Sequence, residues 1–261
     1  MINRWDENIA SKLKDDLELR VYTSRLLGSD SYLVLHGGGN TSVKIDGTLY
    51  VKGSGWDLES IEKEGFAPCK IDALLELLKL DSLSDSDMVK AQKESMTDKS
   101  APNPSVEAIL HALIPYKFVD HTHADSVVTI SNSAKGATSI DEIYGRDFLI
   151  VPYVMPGFIL AKEVYALSQN IDWNKIKGII LHNHGIFTFG DSAKESYDSM
   201  IEWVAKSEKY LEENTSIGST AIDTIWSEES IKQIADTVSK AKGFQVTYRV
   251  NTSPLAPYSS P

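Results

Sequence analysis

Four of the six histidines form two His-x-His pairs, His121 with His123 and His182 with His184. Each pair lies in a run of β-branched and aromatic residues, KFVDHTHADSVVTI and KGIILHNHGIFTFG, that reads as strand. Side chains two apart on a strand share a face, so both imidazoles of a pair can point at one ion. Glu107 and His111 are four residues apart in PSVEAILHALI and stack on one face of a helix. Three imidazoles and a carboxylate suit Zn²⁺ or another divalent metal, and such a site keeps a position for substrate. One His-x-His alone is a weak signal; two of them with a helix glutamate are a strong one. His111 sits among Leu110, Leu113 and Ile114 and reads as a core histidine whose hydrogen bonds are met internally. His36, ahead of three glycines, has no assignment.

Two glycine-rich turns, GGGNTS and KGSG, can offer backbone N–H groups and small hydroxyls to a phosphate, although plain turns are the commoner use of glycine. TLYVKGSGWDLES imitates a dinucleotide-binding strand-turn-helix, but Leu58 stands where the third glycine of G-x-G-x-x-G belongs. Neither a Walker lysine motif nor a G-x-S-x-G elbow is present.

Several elements must hold these residues in place. Residues 5 to 28 have helical spacing and end at Gly28. SYLVLHGGGNTSVKI reads as a strand, a glycine turn and a second strand, and TLYVKGSG gives a third after the Asp46-Gly47 turn. KIDALLELLKL is an amphipathic helix, and the polar stretch Asp81 to Ser100 reads as a surface loop. APNPSVEAILHALI begins a helix with Asn103 or Ser105 as cap and Pro104 in its first turn. DFLIVPYV is a further strand, Ala193 to Glu213 a long amphipathic helix, and the last forty or so residues fit one more helix and a strand, VTYRV. Strands alternating with helices point to one α/β domain over residues 1–261, with a flexible tail from about 250.

The charge narrows the partners. With 26 Lys and Arg against 37 Asp and Glu the net charge is −11, which repels nucleic acid and anionic lipid at long range. A sugar phosphate needs only local donors. Cys69 is the single cysteine, so no disulfide forms within the chain and an all-thiolate zinc site is excluded; a reducing cytoplasm fits. The first residues are charged, and the apolar stretch Phe148 to Ala161 is short and broken by Pro152 and Pro156, so no membrane span or secretion signal is expected.

GGGNTS, VKGSG, PSVEAILHA, HTHAD and NHG follow one another with spacings that resemble the class II aldolase/adducin family over roughly residues 20 to 210. VKGSGWDL, HTHAD and PYVMPGFILAK look most like the aldolase portion of larger proteins that also carry a short-chain dehydrogenase domain. The resemblance implies a three-layer α/β/α sandwich around a mixed, largely antiparallel sheet, and a homotetramer or other homo-oligomer with sites between subunits. It implies that His121, His123 and His184 bind zinc or another divalent ion, with His182 a neighbour, and that Glu107 is the catalytic acid/base. Asn40, Ser54, Gly55 and Ser105 match positions that bind substrate phosphate in fuculose- and rhamnulose-phosphate aldolases. Where those enzymes often carry a second serine, this chain has Val106, which removes a phosphate donor. The implied activity is aldolase-type cleavage or formation of a C–C bond in a small phosphorylated ketose through a metal-stabilised enediolate. The same apparatus serves an epimerase, decarboxylase or dehydratase, and a family member without metal would be an adducin-like scaffold.

Overall fold

The computed structural model describes residues 1–215 and 227–248. The chain falls into two compact units, Met1–Asn214 and Thr215–Pro261. In chain order the first contains α1 (Glu7–Ala10), α2 (Asp16–Gly28), β1 (Asn40–Ile45), β2 (Thr48–Lys52), β3 (Phe66–Lys70), α3 (Ile71–Leu77), α4 (Asp85–Ser95), α5 (Ala108–Leu113), β4 (Phe118–Thr122), α6 (Asp125–Ser131), α7 (Gly136–Tyr144), β5 (Phe148–Val151), α8 (Phe158–Ser168), β6 (Gly178–Leu181), β7 (Gly185–Gly190) and α9 (Ala193–Asn214). The second unit carries α10 (Glu228–Lys242), capped by the Ser227 hydroxyl and closed by Gly243 in the left-handed conformation. The expected tail from about 250 lies outside the described residues. Of VTYRV, Val246 to Tyr248 form no strand and the rest is likewise outside.

The seven strands form one sheet in the order β3-β2-β1-β4-β7-β6-β5. Every neighbouring pair is antiparallel except β5 with β6. Strand alternation sends successive side chains to opposite faces. Ile180 and Ile186 pack with Val127 of α6, Ile140 of α7 and Met200 of α9, whereas Ile179, Leu181 and Phe187 pack with Leu110 of α5 and Val164 of α8. Helices therefore cover both faces of a mixed, largely antiparallel sheet, as the family resemblance implies.

Beneath β1 and β4 the α2 helix carries a fully buried Arg20, whose Nη2 lies 2.5 Å from Asp120 Oδ1 of β4. The Ser196 hydroxyl of α9 donates to the other Asp120 oxygen at 2.5 Å. This ion pair fixes α2 and α9 to the strand that carries His121.

Several elements differ from the sequence reading. SYLVL forms no strand: Leu33 and Val34 are buried, but the chain there turns, with Leu33 and Val34 N–H both on the Asp30 carbonyl. Asp81 to Ser100 is not a loop throughout, because Ser84 caps α4, whose inward positions are Met88, Gln92 and Ser95. Only one of those three is apolar, so the helical period was invisible. β3 was overlooked because Pro68 interrupts it; as an edge strand it tolerates the missing donor. α5 starts later than PSVEAILHALI indicates, because Pro104 pairs with Gly53 in an isolated bridge and the Ser105 N–H donates to the Lys52 carbonyl, leaving Glu107 at the cap position. The second half of KFVDHTHADSVVTI is the helix α6, which buries Val127 and Ile130. The opening helix is divided, with α2 capped afresh by Asp15.

Candidate active site

β4 places His121 on the α5/α8 face of the sheet, where its ring stacks on Phe187 at 4.1 Å. His123 follows immediately after the strand ends, on the same side. The second pair does not lie in a strand: His182, Asn183 and His184 form the tight turn between β6 and β7, with Asn183 at φ 58° and the His184 N–H on the Leu181 carbonyl at 3.1 Å. The two-residue strand spacing therefore fails for this pair, and His184 alone of the two joins the cluster. Gly185 explains why glycine follows it: a Cβ there would lie 2.4 Å from the Thr122 carbonyl oxygen and 3.0 Å from His121 Cε1. Only a bare backbone lets this turn press against His121 and His123.

Donor nitrogens of His121, His123 and His184 all lie within 4.8 Å of one another. The Nε2 atoms of His121 and His123 are 3.1 Å apart. Tetrahedral zinc with Zn–N bonds of about 2.1 Å sets its ligand nitrogens roughly 3.4 Å apart, so this spacing fits a shared cation. His121 Nδ1 is 3.0 Å from the Ile186 carbonyl and so carries the proton, which leaves Nε2 with the free lone pair. Burial holds the His121 imidazole well below its usual pKa, with His123 and His184 adding to the effect. Burial also lowers His123 and is the main cause lowering His184, so all three rings favour the neutral form that binds metal.

Glu107 completes the set from the N-terminus of α5. Its carboxyl is 6 % exposed, with Oε2 3.5 Å from His121 Nε2 and Oε1 3.6 Å from His184 Nε2. Glu107 Oε1 and His184 Nδ1 are buried and have no hydrogen-bond partner among the described residues, as expected of groups reserved for a cation or substrate. Burial pushes the Glu107 carboxyl above the usual range, opposed by His184 and by a hydrogen bond from Asn40. A carboxyl whose neutral form is favoured by burial is suited to exchange a proton with a substrate.

The predicted phosphate residues divide. Asn40 lies beside Glu107, but its carboxamide is engaged at both ends: Nδ2 donates to Glu107 Oε2 at 2.6 Å, and Oδ1 meets His111. Ser54, Gly55 and Ser105 are brought together on two adjoining segments, joined by the Gly53–Pro104 bridge and by the Ser54 N–H on the Asn103 carbonyl at 2.7 Å. The backbone N–H groups of Gly53, Ser54 and Ser105 are thus already used, and this turn presents serine hydroxyls instead. The Ser105 hydroxyl accepts from the Glu107 N–H at 3.3 Å, which ties the turn to the start of α5. Sequence reasoning overlooked Lys52, a buried ammonium that donates to the Gly37 carbonyl at 3.1 Å and so joins the two glycine turns. Its signal was the lysine inside VKGSG.

The chain belongs to the Class II Aldolase and Adducin N-terminal domain family, whose model matches residues 18–211. Class II aldolases usually depend on a divalent metal, and this histidine cluster can hold one. The chain is similar to the N-terminal class II aldolase domain of a conserved Thermoplasma acidophilum protein, with 43 % identity, a TM-score of 0.73, and 81 % of this chain and 99 % of that one covered. It is 36 % identical over 216 residues to the Bacillus subtilis protein named "Uncharacterized oxidoreductase YuxG", covering 79 % of this chain and 31 % of that protein. The chain thus spans under a third of that relative's length. An L-fuculose 1-phosphate aldolase structure shares the fold at 15 % identity and a TM-score of 0.54, covering 87 % of this chain and 97 % of that one.

Proposed function

We propose that this protein is a zinc-dependent aldolase-type lyase acting on a small phosphorylated ketose. The observation that carries the reading is the Glu107 carboxyl, buried, raised in pKa, and set 3.5 and 3.6 Å from two of three clustered histidines with one oxygen unpartnered among the described residues. His121, His123 and His184 would hold the cation, which when bound would supply Lewis acidity at the substrate carbonyl oxygen. In the aldol direction Glu107 takes a proton from the carbon beside that carbonyl and the C–H pair shifts toward the carbonyl oxygen; that pair then forms the C–C bond to the aldehyde carbon, whose C=O π pair becomes an alkoxide that takes up a proton. In cleavage the C–C bond breaks and Glu107 returns the proton to the same carbon. Asn40 holds Oε2, which leaves Oε1 to carry the proton. The hydroxyls of Ser54 and Ser105, at the turn that includes Gly55, hold the phosphate and keep the donor half still.

The test is incubation of the zinc-loaded protein with L-fuculose 1-phosphate and L-rhamnulose 1-phosphate. Release of dihydroxyacetone phosphate is expected. Conversion of a sugar phosphate without triose release would replace the lyase with an epimerase, decarboxylase or dehydratase on the same site. Purified protein that takes up no divalent ion with its three histidines intact would overturn the reading in favour of a non-catalytic scaffold.

A further inference from the structure

Glu107 ends a line of buried hydrogen bonds. Its Oε2 accepts from Asn40 Nδ2 at 2.6 Å, Asn40 Oδ1 meets His111 Nε2, and His111 Nδ1 lies 2.7 Å from Ser42 Oγ. All four side chains are buried, Ser42 and His111 completely. The line crosses from β1 to α5 and back: Ser42 and Asn40 are neighbours on one face of the strand, while His111 and Glu107 are one helical turn apart.

Each bond fixes the direction of the next. An ionised Glu107 can only accept, so the Asn40 amide must turn its NH₂ to it and its oxygen to His111. That oxygen requires the His111 proton on Nε2. Burial holds the His111 imidazole well below its usual pKa, with Lys44 and Arg20 adding to the effect, so the neutral ring has one N–H and Nδ1 must accept the Ser42 O–H. We propose that Ser42 and His111 are positioning residues for Glu107: they lock the Asn40 carboxamide in one orientation and thereby hold Oε2 while Oε1 stays open toward His184. A core histidine with no such role would need partners only for its own nitrogens; here each partner is also committed to the next, and the last is the carboxyl beside the metal cluster. If the Ser42 hydroxyl is removed, His111 Nδ1 is left a buried acceptor without a donor, so the ring loses the contact that holds it, and Asn40 and the Glu107 carboxylate lose their fixed support.

This inference rests on Glu107 being the acid/base. The experiment uses the full, zinc-loaded chain with ¹⁵N-labelled histidine, and long-range ¹H–¹⁵N correlation NMR reads the His111 tautomer. The wild type is expected to show neutral His111 protonated on Nε2, and Ser42→Ala to keep that tautomer, because the Glu107 carboxylate still sets the Asn40 orientation. In deuterated water, exchange of the C–H proton of dihydroxyacetone phosphate should fall roughly 10- to 100-fold in kcat for Ser42→Ala. Its KM should stay within about twofold and its zinc content should not change, as for loss of an interaction made in the transition state. Ser42→Thr, which restores a hydroxyl, should recover most of the rate. A wild-type His111 protonated on Nδ1, or unchanged kcat in a zinc-loaded Ser42→Ala protein, would overturn the proposal. So would a loss of rate that merely follows lost zinc or a lowered Tm. The two failures are distinguishable: if Glu107 is not the base, zinc-loaded Glu107→Gln turns over normally whatever the tautomer, whereas failure of the relay alone leaves Glu107→Gln inactive and Ser42→Ala normal.

Discussion

Arg20→Met should be among the most damaging single changes in the core, although the residue lies on the far side of the sheet from the histidines. Its guanidinium is fully buried. Nε donates to Ser24 Oγ at 3.2 Å, Nη1 to the Ser42 and Val119 carbonyls at 3.3 and 3.4 Å, and Nη2 to Thr23 Oγ1 at 2.6 Å, while Nη2 and the Asp120 carboxylate form an ion pair at 2.5 Å. Burial lowers the Arg20 pKa, and the Asp120 carboxylate opposes that shift. Methionine keeps much of the length but leaves Asp120 charged, buried and supported only by Ser196. Removing one partner of such a pair costs about 3–5 kcal/mol, a large share of the roughly 5–15 kcal/mol that holds a typical domain. Urea unfolding followed by tryptophan fluorescence measures the loss, and Arg20→Met/Asp120→Asn should be more stable than Arg20→Met alone by about 1–3 kcal/mol. A single-variant loss under about 1 kcal/mol, or a double variant no better than additive, would refute the claim that the unpaired charge is the cost.

Further outcomes follow from other buried groups. Lys44 is half-buried with its ammonium on the Ile114 and Tyr116 carbonyls, and desolvation lowers its pKa to about 7. The folded pKa lies below that of the unfolded chain, so the penalty is complete below about 7 and disappears as pH rises toward about 10. Lys44→Met should remove up to about 4 kcal/mol of this rise in stability between pH 7 and 10, read from paired urea titrations; parallel curves for the two proteins would contradict it. Gly185→Ala places a methyl against the Thr122 carbonyl and the His121 ring, and should cost about 1–3 kcal/mol and weaken zinc binding. Unchanged zinc affinity in a chelator competition would show that the turn does not brace the cluster. Tyr153, Met155 and Ile159 are exposed apolar side chains, in keeping with the homo-oligomer that the family resemblance implies; light scattering should find a mass above one chain, and a monomer at every concentration would contradict it.

Much of the site was legible because its chemistry is local in sequence. His121 and His123 are two residues apart, and Glu107 with His111 makes a one-turn helical spacing. Period-two β-branched runs likewise marked most of the sheet, whereas α4 hid behind a polar inward face and α6 behind its β-branched residues, whose burial overrode propensity. His182 and His184 were placed in a strand because GIIL and GIFTFG flank them; the left-handed Asn183 turns the chain there instead. The Asn40–Glu107 contact spans 67 residues and Arg20 meets Asp120 from a different element, so no spacing rule could reveal either.

In the proposed mechanism Glu107 moves the proton while the three histidines hold the metal. Glu107→Gln keeps the shape of the side chain but cannot accept a proton, so turnover should fall roughly 10²–10⁴-fold. His121, His123 and His184 remain, so the same preparation should still contain about one zinc per chain. The direct measurement is turnover set against metal content in that one sample. Inactive, zinc-loaded Glu107→Gln protein is the expected result, whereas near-normal turnover with zinc bound would contradict the mechanism, and joint loss of zinc and activity would make Glu107 a ligand instead.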